Sequence, residues 1–215
     1  MMQSTDEFAK LLLKWFRKHG RNYPWRKNLE PYRVLIAEIM LQRTKADQVV
    51  STYLSFLNKF PTARALAKAP IEEIEKFFGA LGLMWRAKKV EELAEALVSK
   101  YDGKIPDSKE ELLSLPGVGE YVADAVLCFA HGRNVAVVDA NVCRVIGRFS
   151  GLIARGEARR DPRFREMADR LAPKENMREY NWALIDFAAS VCTPRNPKCG
   201  ECPLAKLCAF AQKNR

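Results

Sequence analysis

The sequence predicts an all-α fold. Apolar residues recur at the three- and four-residue spacing of a helix face in nearly every segment. No segment alternates apolar and polar residues convincingly with a period of two. Breakers such as His19-Gly20, Pro70 and Pro116-Gly117 bound the apolar stripes.

Phe8, Leu11, Leu12, Trp15 and Phe16 form the stripe of a first helix that ends at His19-Gly20. Tyr23-Pro24-Trp25-Arg26 reads as a rigid aromatic loop. Tyr32 to Gln42 is helical, with Glu38 among Ile36, Ala37, Ile39 and Met40. Ala46 to Phe60 is a further helix, and Thr62 to Ala67 a short one. Pro70 with Glu72 and Glu73 marks a helix start, and that helix runs to Phe78. Gly79 to Leu83 is a loop. Arg86 to Lys100 is a charged helix with Val90, Leu93, Ala94 and Leu97 turned inward. A turn follows at Gly103 to Pro106, and Glu110 to Leu115 leads into a hairpin. Helices are also expected over Tyr121–Ala130, Asn141–Phe149, Phe164–Leu171 and Tyr180–Val191. Arg155 to Arg165 is dense in charge, and Pro194, Pro197 and Pro203 break up the remainder.

The chain has 215 residues, enough for one large or two small domains, and 48% hydrophobic residues supply a core. No apolar run is long enough to span a bilayer, so no membrane partner is expected. Met1 to Lys10 carries Asp6 and Glu7 and lacks an apolar core, so it does not read as a secretory leader. The expected location is intracellular, a prokaryotic-type cytoplasm and its nucleoid. The 36 basic and 26 acidic residues leave a net charge of +10. That excess suits a polyanion, nucleic acid above all, although charge alone does not separate DNA, RNA and anionic lipid.

The chain is organised around Leu115 to Asp139, LPGVGEYVADAVLCFAHGRNVAVVD. Pro116 and Gly117 stop one helix, and Gly117 and Gly119 are expected to take φ > 0 and approach a partner closely. A second helix starts near Gly119. The unpaired N–H groups of its first turn, with Gly117, Val118 and Gly119, offer a site for a backbone phosphate. Asp139 ends a mostly apolar run, Val135 to Val138, which sets a carboxylate at the edge of buried surface.

Four cysteines form Cys192-x6-Cys199-x2-Cys202-x5-Cys208. Four thiolates so close together satisfy one tetrahedral centre. Two disulfides are disfavoured without a secretory signal and with a core that needs no staple. Zinc and a [4Fe–4S] cluster both fit on chemistry alone. Cys128 and Cys143 stand singly in apolar stretches and read as inert core thiols.

The hairpin together with VDANV closely resembles the helix-hairpin-helix, Gly/Pro-rich loop and terminal Asp of the endonuclease III superfamily of DNA glycosylases. The resemblance extends from about Pro24 to the last cysteine. It implies two helical lobes with the active site in the groove between them. A six-helix barrel with the hairpin would span residues 21–132. Residues 1–20 and 133–215 would form the second lobe, and its loop 192–208 would carry a [4Fe–4S] cluster on Cys192, Cys199, Cys202 and Cys208. A monovalent cation at the hairpin is also implied. The cluster would serve structure and docking, with Arg195, Lys198 and Lys206 offsetting its charge.

Excision of a base requires the base to leave the stack, its departure to be assisted, and the cationic sugar to be stabilised by a carboxylate. The resemblance assigns the last role to Asp139 and proton donation or relay to Glu38, since IAEIMLQRT resembles the segment carrying the catalytic Glu of the adenine- and thymine-removing branch. Tyr121 stands where bifunctional members carry a Schiff-base Lys. A phenol forms no imine, so the expected enzyme is monofunctional and leaves an abasic site. Gln42, Arg43, Leu83 and Arg86 fall in the family's DNA-contacting loops, with Leu83 as a wedge. Trp25, Arg26 and Asp186 resemble pocket-lining positions.

Ala140 in VDAN and Arg43 favour removal of thymine or uracil mispaired with guanine. The alternative is an adenine glycosylase acting opposite 8-oxoguanine or guanine, and a second alternative is a non-catalytic helix-hairpin-helix binder. The expected partner is double-stranded DNA with a mismatched or damaged base, bound by a monomer.

Overall fold

The computed structural model describes residues 2–213, with side chains from Asp6 onward. Among the described residues every regular element is helical. The α-helices are α1 (Met2–His19), α2 (Pro24–Lys27), α3 (Pro31–Met40), α4 (Ala46–Lys59), α5 (Ala63–Leu66), α6 (Ile71–Ala80) and α7 (Ala87–Tyr101). They continue as α8 (Lys109–Leu113), α9 (Glu120–Phe129), α10 (Ala140–Ser150), α11 (Pro162–Leu171), α12 (Met177–Ser190) and α13 (Ala209–Lys213).

Three local outcomes differ from the sequence reading. Pro24 takes the first position of a one-turn helix, so the aromatic segment is α2 rather than a loop. Met84–Arg86 coils as a 3-10 turn before α7 begins at Ala87. The short α13 follows Cys208 although three prolines precede it, because Ala209 to Lys213 contains no breaker.

The chain divides into two compact units, one of Asn22–Arg133 and the other of Met1–Arg21 with Asn134–Arg215. In the first, α3 packs on α9. Every residue of α9 from Val122 to Phe129 is buried, as is every residue of α3 from Val34 to Met40. A helix buried on every side belongs at the centre of its unit. Here two such helices form the floor on which Glu38 and Tyr121 stand.

In the second unit α12 packs against α1 and α10. Phe8 and Phe149 meet at 4.4 Å between ring centroids, and Trp15 and Phe187 at 5.2 Å, edge to face. Caps set the helix starts. Ser108 accepts from the Glu111 N–H and donates to the Glu111 carboxylate, which caps α8. Asp139 caps α10 and Asp161 caps α11. Each such cap contributes about 1 kcal/mol.

Candidate functional site

The hairpin begins with α8 and α9 tied by one cation. Lys109 Nζ lies 2.6 Å from Glu120 Oε2 and 3.0 Å from Asp124 Oδ1, and Asp124 is fully buried. Burial pushes the Lys109 ammonium down, but the hydrogen bonds to Glu120 and Asp124 outweigh it and the net shift is upward. Gly117 has φ +78, and the Val118 N–H donates to the Leu115 carbonyl at 3.2 Å. A side chain at 117 would be strained by that φ. Gly119 differs from the expectation of a positive φ. It caps α9 in an extended conformation at φ −106 with no side-chain cap, so it leaves the helix start bare rather than making a turn. Val118 is buried and anchors the loop from within, while Gly117 and Gly119 are exposed.

Tyr121 sits half-buried in the first turn of α9. Glu38 is 4% exposed on α3. It lies close enough to Tyr53 to help keep that phenol protonated: burial above all pushes the Tyr53 hydroxyl up to about 12, Arg33 opposes this, and the Glu30 and Glu38 charges reinforce it.

After α3 the chain turns at Arg43, which holds φ 64 in the left-handed region. Gln42 Oε1 accepts a hydrogen bond from the Arg86 guanidinium. Burial lowers Arg86 and the nearby Arg43 charge lowers it further. Gln42, Trp85, Arg86, Lys89, Pro116 and Gly117 line one cavity of about 150 Å³. Three segments that the sequence reading assigned to DNA contact therefore meet within this unit.

The structure places four further expected site residues, Leu83, Trp25, Arg26 and Asp186, as follows. Leu83 is 5% exposed, whereas its neighbours Met84 and Trp85 are 58% and 59% exposed. Trp25 is 6% exposed in an aromatic stack, 4.7 Å from the Tyr23 ring and 5.4 Å from Tyr53. Arg26 is half-buried and lies over the Tyr23 ring. Asp186 is fully buried. Its carboxylate accepts from the Arg21 backbone N–H and from Arg21 Nε, both at 2.8 Å. That pairing ties the exit of α1 to α12.

In the second unit Asp139 is half-buried at the N-cap of α10. Its Oδ1 accepts from the Val142 N–H at 2.7 Å and its Oδ2 from Asn141 Nδ2 at 2.8 Å. The approach to it is pinned from two sides. The buried Asn181 accepts from the Val137 N–H and donates to the Val135 carbonyl, and Arg165 donates to the Ala136 carbonyl.

Asn141 also accepts from Arg144, whose other nitrogens donate to the Cys192 and Ala188 carbonyls at 3.0 Å. Arg148 donates to the Thr193 and Pro194 carbonyls and lies 3.6 Å from Cys192 Sγ. Cys208 Sγ donates to the Arg148 carbonyl at 3.3 Å. Arg144, Arg148 and Asn181 escaped the sequence reading, and Arg165 entered it only as part of a charge-dense stretch. The four-residue spacing of Arg144 and Arg148 on the helix after Asp139 was the available signal, because it puts both guanidinium groups on one face.

The four cysteines of the loop are free thiols around a common cavity whose walls include Phe149, Phe187 and Leu204, with Arg148 and Lys198 also lining it. Among the described residues no three His, Cys, Asp or Glu side chains gather tightly enough for one metal ion. Four thiols spaced around one enclosed space suit a cluster with a metal at each corner. Burial pushes Cys202 up to about 11 and raises Cys192, where Arg148 and Arg144 oppose it. Ligation requires thiolates; at Cys192 these two arginines favour the thiolate, and at Cys202 a backbone hydrogen bond from Leu204 does. The donor set fits an iron–sulfur cluster held by Cys192, Cys199, Cys202 and Cys208.

Comparison with known proteins agrees with this arrangement. The family described as HhH-GPD superfamily base excision DNA repair protein matches residues 36–169, and the iron-sulfur binding domain of endonuclease III matches residues 192–208. The chain is 38% identical over 207 residues to a thymine/uracil-DNA glycosylase of Methanothermobacter thermautotrophicus, covering 96% of this chain and 94% of that protein. It is 39% identical over 197 residues to an adenine DNA glycosylase of Mycobacterium tuberculosis, covering 90% of this chain but 64% of that longer protein. The solved structure of a thermostable thymine-DNA glycosylase superposes with a TM-score of 0.90 at 36% identity, covering 98% of each chain. On the hairpin, the capping carboxylate and these matches together, the chain belongs to the HhH-GPD superfamily of base excision DNA repair proteins.

Proposed function

We propose that this protein is a monofunctional DNA glycosylase that removes thymine or uracil mispaired with guanine and leaves an abasic site. The observation that carries the reading is Asp139, a carboxylate fixed in one orientation by two donors at a helix start. Orientation matters because the transition state of base loss carries positive charge on the sugar, and a pre-oriented carboxylate stabilises it without reorganisation. Glu38, buried on α3, serves as proton donor or relay to the departing base. Tyr121 offers no amine, so no imine forms and the strand stays intact after base loss. The bare start of α9 and the hairpin glycines take a backbone phosphate of double-stranded DNA, with Gln42, Arg43 and Arg86 alongside. The cluster supplies a covalent cross-link for the C-terminal loop rather than hydrolytic chemistry. The protein acts as a monomer.

The Methanothermobacter relative and the thermostable structural neighbour, both named for thymine, support this choice of base. The mycobacterial relative keeps adenine excision as the second reading. One experiment separates them. Purified holoprotein is incubated with labelled duplexes bearing G·T, G·U, A·8-oxoguanine and A·G, and products are resolved with and without alkali. Alkali-dependent breaks at T and U are expected. Release of adenine instead would move the chain to the second reading, and tight binding without any product would make it a binder only.

A further inference from the structure

The geometry points to Trp85, with Met84 beside it, as a stacking platform for a nucleobase that has lost its partner in duplex DNA. This rests on the reading of the chain as an enzyme acting on DNA. Both side chains are more than half exposed on the 3-10 turn before α7. Leu83 beneath them is buried, so the turn presents Met84 and Trp85 outward.

Trp85 is held rather than loose. The Arg86 guanidinium lies 4.5 Å from its ring centroid, and the same guanidinium donates to Gln42 in the loop after α3. The turn and the Gln42-Arg43 loop are thereby joined before any ligand arrives. Pre-organisation of this kind removes an ordering cost from binding.

The surroundings select the occupant. The cavity that Trp85 lines also has Arg86, Lys89 and Gly117 in its wall, and among the described residues no carboxylate lines it. Arg43, also exposed, adds charge nearby. An apolar protein partner does not call for such a cationic frame. A large π-face set among cations, next to the bare start of α9, suits a base flanked by phosphates.

The test measures affinity of holoprotein for a matched duplex and for one carrying guanine opposite a tetrahydrofuran abasic analogue. The second presents an unpartnered base with nothing to excise. Trp85→Ala is expected to weaken binding to the guanine–abasic duplex about tenfold or more, while matched binding changes less than about twofold. Trp85→Phe should restore most of the loss, because it keeps an aromatic face. Wild-type affinity of Trp85→Ala for the guanine–abasic duplex overturns the proposal. So does an equal loss on both duplexes, which would mean a backbone contact or a fold defect. A wild-type protein that excises no base while Trp85→Ala still loses guanine–abasic binding sinks the glycosylase reading and leaves the platform standing.

Discussion

At the scale of the residue, Asp139 combines two tasks. Its carboxylate caps α10 through the Val142 N–H, and it is also the group proposed to face the sugar. Asparagine caps a helix about as well as aspartate. Asp139→Asn should therefore keep the melting temperature and the affinity for DNA. It should lower single-turnover excision roughly 100- to 1,000-fold, the scale for losing one preorganised electrostatic partner. Full activity in that variant would remove Asp139 from the chemistry. The residue was legible in the sequence because a carboxylate after four mostly apolar positions is out of pattern. Asp186 was not legible as a tie, because its partner Arg21 lies 165 positions away.

At the scale of the element, the hairpin depends on how α8 is locked to α9. Lys109→Met removes the cation facing the fully buried Asp124. The expected loss is about 2 kcal/mol in chemical denaturation, smaller than for a wholly buried pair because Lys109 is 35% exposed. Adding Asp124→Leu should recover much of that loss, since no charge is then left buried. A single variant as stable as wild type would show that the hairpin does not rely on this lock.

The start of α11 gives a prediction in pH. The Arg163 side chain and the Arg155 N–H hold the Asp161 carboxyl well below the usual carboxylate range. A depressed carboxylate stabilises the fold above its unfolded pKa, about 4, and that contribution disappears as pH falls toward the folded value. Asp161→Asn should thus lower the melting temperature at pH 7, and its gap to wild type should narrow as pH falls below about 4. A gap that stays constant with pH would mean that the hydrogen bonds, and not the charge, do the stabilising.

At the scale of the whole molecule, the cluster and the chain around it are one cooperative feature. The four thiols line a cavity whose walls include Phe149, Phe187 and Leu204, and Arg148 binds the carbonyls of the loop at Thr193 and Pro194. Metal binding and folding are coupled at such a site. Oxidative loss of the cluster should abolish amide protection first over residues 192–213, read by hydrogen exchange against the iron content and visible absorbance of the same samples. Full protection in iron-free protein would show that the apolar walls alone hold the loop.

The sequence by itself determined the helical class, the hairpin, the position of Asp139 after an apolar run and the cysteine loop. These are local: helix periodicity, a glycine at positive φ, a carboxylate after an apolar run and a spacing of ligands are all written within a few positions of one another. Tertiary structure alone decided the rest. It turned Met84 and Trp85 outward and Leu83 inward, buried Trp25 against Tyr23 and Tyr53, consumed Asp186 on Arg21, and joined Asn141 to the cluster loop through Arg144. The reason is physical. A side chain's exposure and partners depend on which distant element packs over it, and a short motif carries no record of that neighbour.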